Sequence, residues 1–343
     1  MKFKKALILL LAGLPLVLVA QEIPQDVQQE ILTNNPSLDQ NGDGKLSIRE
    51  YKKDSKSVSK AEEVTSEKNA TQEIGFRGQK YTPAPGVTKK TEIYKNTAEK
   101  DLEITLHFPA AWTAEDKRPV MVFFFGGGWK KGTTKQFLIQ ADYFASRGIV
   151  TARPNYRLKP DGVTPDKCVE DARSAIRWLR ANAARLGIDP DKVISAGGSA
   201  GGHLAYCTSI KHGADDPNDD KTISCIPQAM VLFNPGLFYS DSEGVMASVG
   251  GGTLSAERLQ LISPLDHADK DTPPALILFG TKDKLKRGAD EYLRLAKKVG
   301  IRAEMFTAEG ENHGFFNTEP WLSKTTAKVD KFLVSLGYLD EMK

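Results

Sequence analysis

Apolar residues fall in short runs along this chain, and the runs change character as it proceeds. Residues 88–94 and 102–108 alternate apolar with polar, the two-residue period of strands with one face in water, and predict an antiparallel pair at a sheet edge. Residues 120–125 and 274–280 are apolar without a break, and 192–195 is a shorter run of the same kind. Such runs fit strands covered on both faces, as in a parallel sheet. Residues 302–307 alternate again. Between these runs the period lengthens: 202–206 reads as the start of a helix, 290–299 is amphipathic, and 321–336 supplies a closing helix. Buried strands alternating with helices predict an α/β domain over residues 79–343, long enough for one core and without internal repeats.

The first 78 residues follow another pattern. Lys2, Lys4 and Lys5 precede an apolar stretch that ends in Ala20, which reads as a signal peptide over residues 1–20 and predicts a secreted or periplasmic protein with no membrane attachment after cleavage. Residues 21–54 read as a small helical module. In it a predicted helix over 25–34 precedes Asp39-Gln40-Asn41-Gly42-Asp43-Gly44-Lys45-Leu46-Ser47-Ile48-Arg49-Glu50, which matches an EF-hand calcium loop throughout. Asp39, Asn41, Asp43, the Lys45 carbonyl, Ser47 and a bidentate Glu50 would surround one hard cation, with Gly44 making the turn. One such loop alone suggests structure or attachment, with a partner for the module, and no part in chemistry. Residues 55–78, rich in Lys, Ser, Glu and Thr, read as a linker.

The chemistry lies where the buried runs end. Gly197-Gly198-Ser199-Ala200-Gly201 follows one run and opens a helix. This is the setting that lifts a serine hydroxyl onto a sharp turn, where a base reaches it and the N–H of Ala200 is free to hold an oxyanion. The 120–125 run ends in Gly126-Gly127-Gly128-Trp129, whose unshielded amides make Gly126 and Gly127 the other candidate oxyanion donors. Asp283 follows the 274–280 strand, and His313 sits in a glycine-bracketed loop after 302–307. In this order, His313 takes and returns the Ser199 proton while Asp283 fixes the imidazole. Among the other histidines, His107, His212 and His267 precede Asp283 in the chain, and His203 lies one turn behind Ser199 as a packed residue. Asp171 reads as the start of a helix, where it orders local structure. Trp129 and Tyr156 are candidate pocket residues, with ordinary packing as the other reading.

These residues, with Arg153-Pro154-Asn155-Tyr156-Arg157-Leu158 and the stretch from Asp171 to Asn182, resemble the hormone-sensitive-lipase-like branch of α/β hydrolases, especially secreted bacterial acetyl-xylan and feruloyl esterases. The resemblance implies an α/β-hydrolase fold, a mostly parallel eight-stranded sheet flanked by helices, and hydrolysis of acetyl or feruloyl esters on polysaccharides without a catalytic cofactor. One position departs from it. The family places histidine before the three glycines, where it orders the loop, and this chain has Phe125. The family's helical cap corresponds to residues 238–261, a short glycine-rich segment that suits a substituent on a large polymer.

Two other readings stay open. A serine peptidase of the prolyl-oligopeptidase kind also carries Gly-x-Ser-x-Gly, though without three glycines after the earlier strand. A calcium-dependent anchoring protein with a degenerate hydrolase domain would account for Phe125. Net charge separates neither: it is +3 for the whole chain and, without the three lysines of the signal, zero, which gives no support to a nucleic-acid partner. Cys168, Cys207 and Cys225 are too few for a disulfide scaffold; export permits one bridge, Cys207 with Cys225, leaving Cys168 as a buried thiol.

Overall fold

The computed structural model describes residues 72–342, apart from 245–248 and 250–253. The signal peptide, the calcium-loop ligands Asp39 to Glu50 and most of the linker lie outside the described residues. The unit that is described starts earlier than the composition suggests. β1 (Glu73–Ile74) pairs antiparallel with β2 (Lys80–Tyr81), so residues 72–78, read as the end of the linker, belong to the catalytic unit. Two-residue strands in a polar stretch leave no period to detect. What holds this arm is long-range: the Ala84 N–H donates to the buried Asp142 at 2.6 Å and the Gln79 side chain to the Asn317 carbonyl at 2.8 Å.

β3 (Thr88–Asn96) and β4 (Asp101–Phe108) form the antiparallel edge of an eight-stranded sheet. Five strands follow in parallel beside β5 (Arg118–Phe124): β6 (Val150–Pro154), β7 (Ile188–Gly198), β8 (Ala229–Phe233), β9 (Ala275–Gly280) and β10 (Ala303–Ala308). The spatial order is β10-β9-β8-β7-β5-β6-β4-β3, with the parallel strands running from the β10 edge to β6 and the antiparallel pair at the other edge. It is an α/β-hydrolase fold.

The unbroken apolar runs have a direct cause, because both faces of the sheet are covered. From β5, Val120, Val122 and Phe124 join a core with α2 (Pro165–Ala181), α3 (Ala200–Cys207) and α5 (Lys286–Val299). Met121 and Phe123 point the other way, onto α1 (Leu138–Ser146) and α6 (Trp321–Ser335) through Phe144, Val329 and Phe332. Each such side chain contributes about 1.5–3 kcal/mol by leaving water. α4 (Ala256–Gln260) is a short helix within the 238–261 segment.

Three expectations change in detail. α2 begins at Pro165, so Asp171 lies mid-helix; it is fully buried and binds Lys95 Nζ at 2.9 Å and the Arg157 guanidinium at 2.8 Å, tying the β3 edge to the segment after β6. The Cys207–Cys225 bridge does not form. All three cysteines are buried free thiols, and Cys207 Sγ lies beside the His203 ring and the Ile262 carbonyl. β7 is also longer than its apolar run, reaching back to Ile188.

Candidate active site

The carboxyl ends of β5, β7, β9 and β10 bring the candidate residues to one edge of the sheet. β7 ends at Gly198 and α3 starts at Ala200, so Ser199 makes the whole turn alone, at φ 55° and ψ −119°. A non-glycine residue there costs on the order of 1–3 kcal/mol, and packing on both sides enforces it. A Cβ at Gly197 would lie 2.2 Å from the Gly201 carbonyl oxygen, and one at Gly201 2.1 Å from that of Phe124. Nothing larger than glycine fits either position without moving a strand. The Ser199 N–H donates to Phe233 O at 2.8 Å, which pins the turn to β8.

His313 Nε2 lies 2.8 Å from Ser199 Oγ, and its Nδ1 lies 2.6 Å from Asp283 Oδ2. The second carboxylate oxygen of Asp283 accepts the Leu285 N–H at 2.9 Å. Asp283 is 2% exposed at its side chain and His313 41%, so the acid is enclosed while the base faces solvent. The loops that carry them are laced together: Lys282 N–H donates to Glu311 O, Thr281 N–H to Ala308 O, and Gly310 N–H to the Thr281 hydroxyl. Asn234, just after β8 with φ 46°, accepts the N–H of Gly314.

The oxyanion side differs from expectation at one residue. The Gly126 N–H is already spent on Gln136 Oε1 at 2.6 Å, so Gly126 is not an oxyanion donor. The Gly127 amide has no protein acceptor among the described residues, and the Ala200 N–H is one of the first-turn donors of α3 that no helix carbonyl reaches. Gly127 and Ala200 thus remain from the set of three. A Cβ at Gly126 would fall 3.0 Å from Ser199 Cβ, which places the glycine loop directly against the serine.

Of the two candidate pocket aromatics, Tyr156 is enclosed, whereas Trp129 is partly exposed. Tyr156 is 1% exposed; its ring stacks on Phe125 at 4.3 Å and its hydroxyl donates to the Phe125 carbonyl at 2.6 Å. Phe125 in place of histidine therefore holds the loop by stacking. Trp129 packs edge-on against His203. His203 is enclosed, with Nε2 bonded to Ile262 O at 2.7 Å and its ring stacked on Phe238. Among the described residues no cluster of three or more His, Cys, Asp or Glu side chains is arranged to hold a metal ion.

Burial lowers the pKa of both His203 and His107 to about 4, so each is neutral at pH 7 and the 3.7 Å approach of His107 to Asp142 is no ion pair there. In the unfolded chain these imidazoles bind a proton near pH 6.5. Their neutral burial therefore supports the fold fully above that pH, and the support is lost as pH falls from about 6.5 to about 4. Thermal unfolding between pH 7.5 and 4.5 should show the melting temperature falling through this window, and His203→Gln should flatten the slope. Each histidine accounts for at most on the order of 3 kcal/mol. A slope unchanged in His203→Gln would assign the loss to other groups.

Comparisons with known proteins point to carboxylic-ester hydrolases. The BD-FAE family matches residues 105–230. Carboxylesterase NlhH of Mycobacterium tuberculosis is 26% identical over 248 residues, 63% of this chain and 72% of that protein. An arylesterase of Saccharolobus solfataricus is 24% identical over 266 residues, 74% of this chain and 86% of its own. Apo esterase 2 of Thermogutta terrifontis superposes with a TM-score of 0.69 at 38% identity, over 77% of this chain and 100% of that one. Structures of that esterase also exist with propionate bound, with butyrate bound, and phosphorylated by paraoxon.

Proposed function

The chain belongs to the esterases of the α/β-hydrolase fold, and from that premise we propose that it removes acetyl or feruloyl groups from polysaccharides or oligosaccharides through an acyl-enzyme on Ser199. The observation that carries the catalytic part is the imidazole of His313 set between Ser199 Oγ at 2.8 Å and Asp283 at 2.6 Å. As Oγ attacks the ester carbon, its proton passes to Nε2, and Asp283 faces the imidazolium that forms. The carbonyl oxygen becomes an anion between the N–H groups of Gly127 and Ala200, where each donor is worth about 2.7–4 kcal/mol. Nε2 then protonates the leaving alcohol, and the acyl group stays on Oγ. Water attacks next, its proton goes to His313 and on to Ser199, and the acid departs.

The polymer half of the proposal rests on access. His313 is 41% exposed at its side chain, and the described part of residues 238–261 carries one helix of five residues. A site so open suits an alcohol that continues as a sugar chain. The propionate and butyrate complexes of the Thermogutta esterase favour a short acyl group. The calcium loop at Asp39, Asn41, Asp43, Lys45, Ser47 and Glu50 is proposed to bind its ion for structure or attachment, outside the chemistry.

The test is release of acetate and of ferulate from native xylan and pectin, alongside hydrolysis of p-nitrophenyl acetate, each with calcium and with chelator. The expected result is release from at least one polymer at a rate that chelation leaves unchanged. Hydrolysis of the small ester with no release from any polymer would remove the polysaccharide part and keep the esterase. A rate that collapses in chelator would bring calcium into the catalytic unit.

A further inference from the structure

We propose that Gln136 and Asn317 are positioning residues that set the oxyanion amide and the catalytic base as one unit. Their side chains form a chain of three hydrogen bonds between the two loops. The Gly126 N–H donates to Gln136 Oε1 at 2.6 Å, Gln136 Nε2 donates to Asn317 Oδ1 at 3.1 Å, and Asn317 Nδ2 donates to the Gly314 carbonyl at 2.9 Å. The direction of this chain is fixed at both ends. An N–H at Gly126 requires an oxygen opposite it, and a C=O at Gly314 requires an NH2, so neither amide can be turned over without setting like against like. Asn317 is 4% exposed, where a mispaired amide is expensive.

Each end lies one peptide from a reacting group. Gly126 precedes Gly127, whose N–H is an oxyanion donor, and rests against the serine turn, with its hypothetical Cβ 3.0 Å from Ser199 Cβ. Gly314 follows His313, and its N–H is separately held by Asn234 Oδ1 at 3.1 Å. The relay therefore resists the two motions that would spoil the transition state, drift of the glycine loop and drift of the imidazole, and couples them. Gln79, from the N-terminal arm, donates to the Asn317 carbonyl at 2.8 Å and braces the middle link. The device does for this loop what the family's histidine would do at Phe125. It rests on the proposed roles of Gly127, Ala200 and His313, because preorganised donors are what it would preserve.

The test is steady-state hydrolysis of p-nitrophenyl acetate by full-length Gln136→Leu, Asn317→Leu, the double variant and Gln136→Glu, beside wild type and Ser199→Ala. Each leucine variant should lose roughly 10- to 100-fold in kcat with KM changed less than about threefold. The double variant should fall within about threefold of the worse single one, because removing either side chain breaks the Gln136–Asn317 link that couples the two ends. Gln136→Glu keeps the acceptor for Gly126 but offers Asn317 no N–H; it should lose at least about fivefold in kcat, and it serves as the deciding variant if leucine is not tolerated in the fold. Losses that multiply in the double variant, or full kcat in Gln136→Glu, would overturn the relay. Wild-type kcat in Gln136→Leu beside a dead Ser199→Ala would do the same while leaving the esterase reading intact, whereas activity surviving in Ser199→Ala would remove the reading on which the relay rests.

Discussion

Ser199→Ala is expected to lower kcat on p-nitrophenyl acetate by on the order of 10⁵- to 10⁶-fold while leaving the melting temperature within a few degrees of wild type. The size follows from the geometry. Oγ is the side-chain atom that His313 Nε2 holds at 2.8 Å, and it is both the attacking atom and the source of the proton that the imidazole moves. Without it, the site keeps only the donors at Gly127 and Ala200, which still polarise a bound ester toward water and leave a residual acceleration of about 10³ over the uncatalysed reaction. Stability should hardly change, since alanine at φ 55° carries much the same backbone strain as serine and the turn stays fixed through the N–H bonded to Phe233. Equal, slow hydrolysis by wild type and Ser199→Ala would mean that the hydrolase unit is degenerate, and the anchoring reading of the chain would then replace the enzymatic one.

The parts of this site that could be read from the sequence are those written into a local pattern. Ser199 stands between Gly197 and Gly201 because a Cβ at either meets backbone, and that constraint is visible as two glycines around a serine. Asp283 follows an unbroken apolar run and His313 an alternating one, each long enough to recognise, so their edge of the sheet follows from chain order. The relay had no such mark. Gln136 sits in a plain Thr-Lys-Gln-Phe turn, and its partner Asn317 is 181 positions further on. Nothing near either residue says that an amide is needed there, and the fate of the Gly126 N–H could not be foreseen. The arm from Glu73 to Tyr81 was hidden for a related reason, its strands being two residues long and its anchors, Asp142 and Asn317, supplied by distant segments. Tyr156 misled in the opposite sense. An aromatic beside a catalytic strand suggests a pocket wall, but a hydroxyl that can reach the Phe125 carbonyl gains more from being buried there.

Asp283→Asn should lower kcat by about 10⁴-fold, and it should do at least as much harm as Asp283→Ala. The wild-type carboxylate uses both oxygens as acceptors, one for the Leu285 N–H at 2.9 Å and one for His313 Nδ1 at 2.6 Å. An asparagine has one oxygen to give. If that oxygen keeps the Leu285 N–H, the NH2 faces Nδ1 and can bond only to the tautomer in which Nδ1 is bare. The proton then sits on Nε2, which can no longer accept one from Ser199. If the amide turns over instead, its NH2 is driven against the Leu285 N–H inside an enclosure where the side chain is 2% exposed, and the loop after β9 must shift. Alanine removes the anchor but imposes no tautomer, because water can enter beside the imidazole. A purely structural aspartate would rank these variants the other way, with the near-isosteric asparagine the milder. Measuring kcat for both, with melting temperatures as the control on folding, decides the matter: an asparagine variant clearly more active than alanine would mean that Asp283 shapes its loop and does not direct the proton on His313.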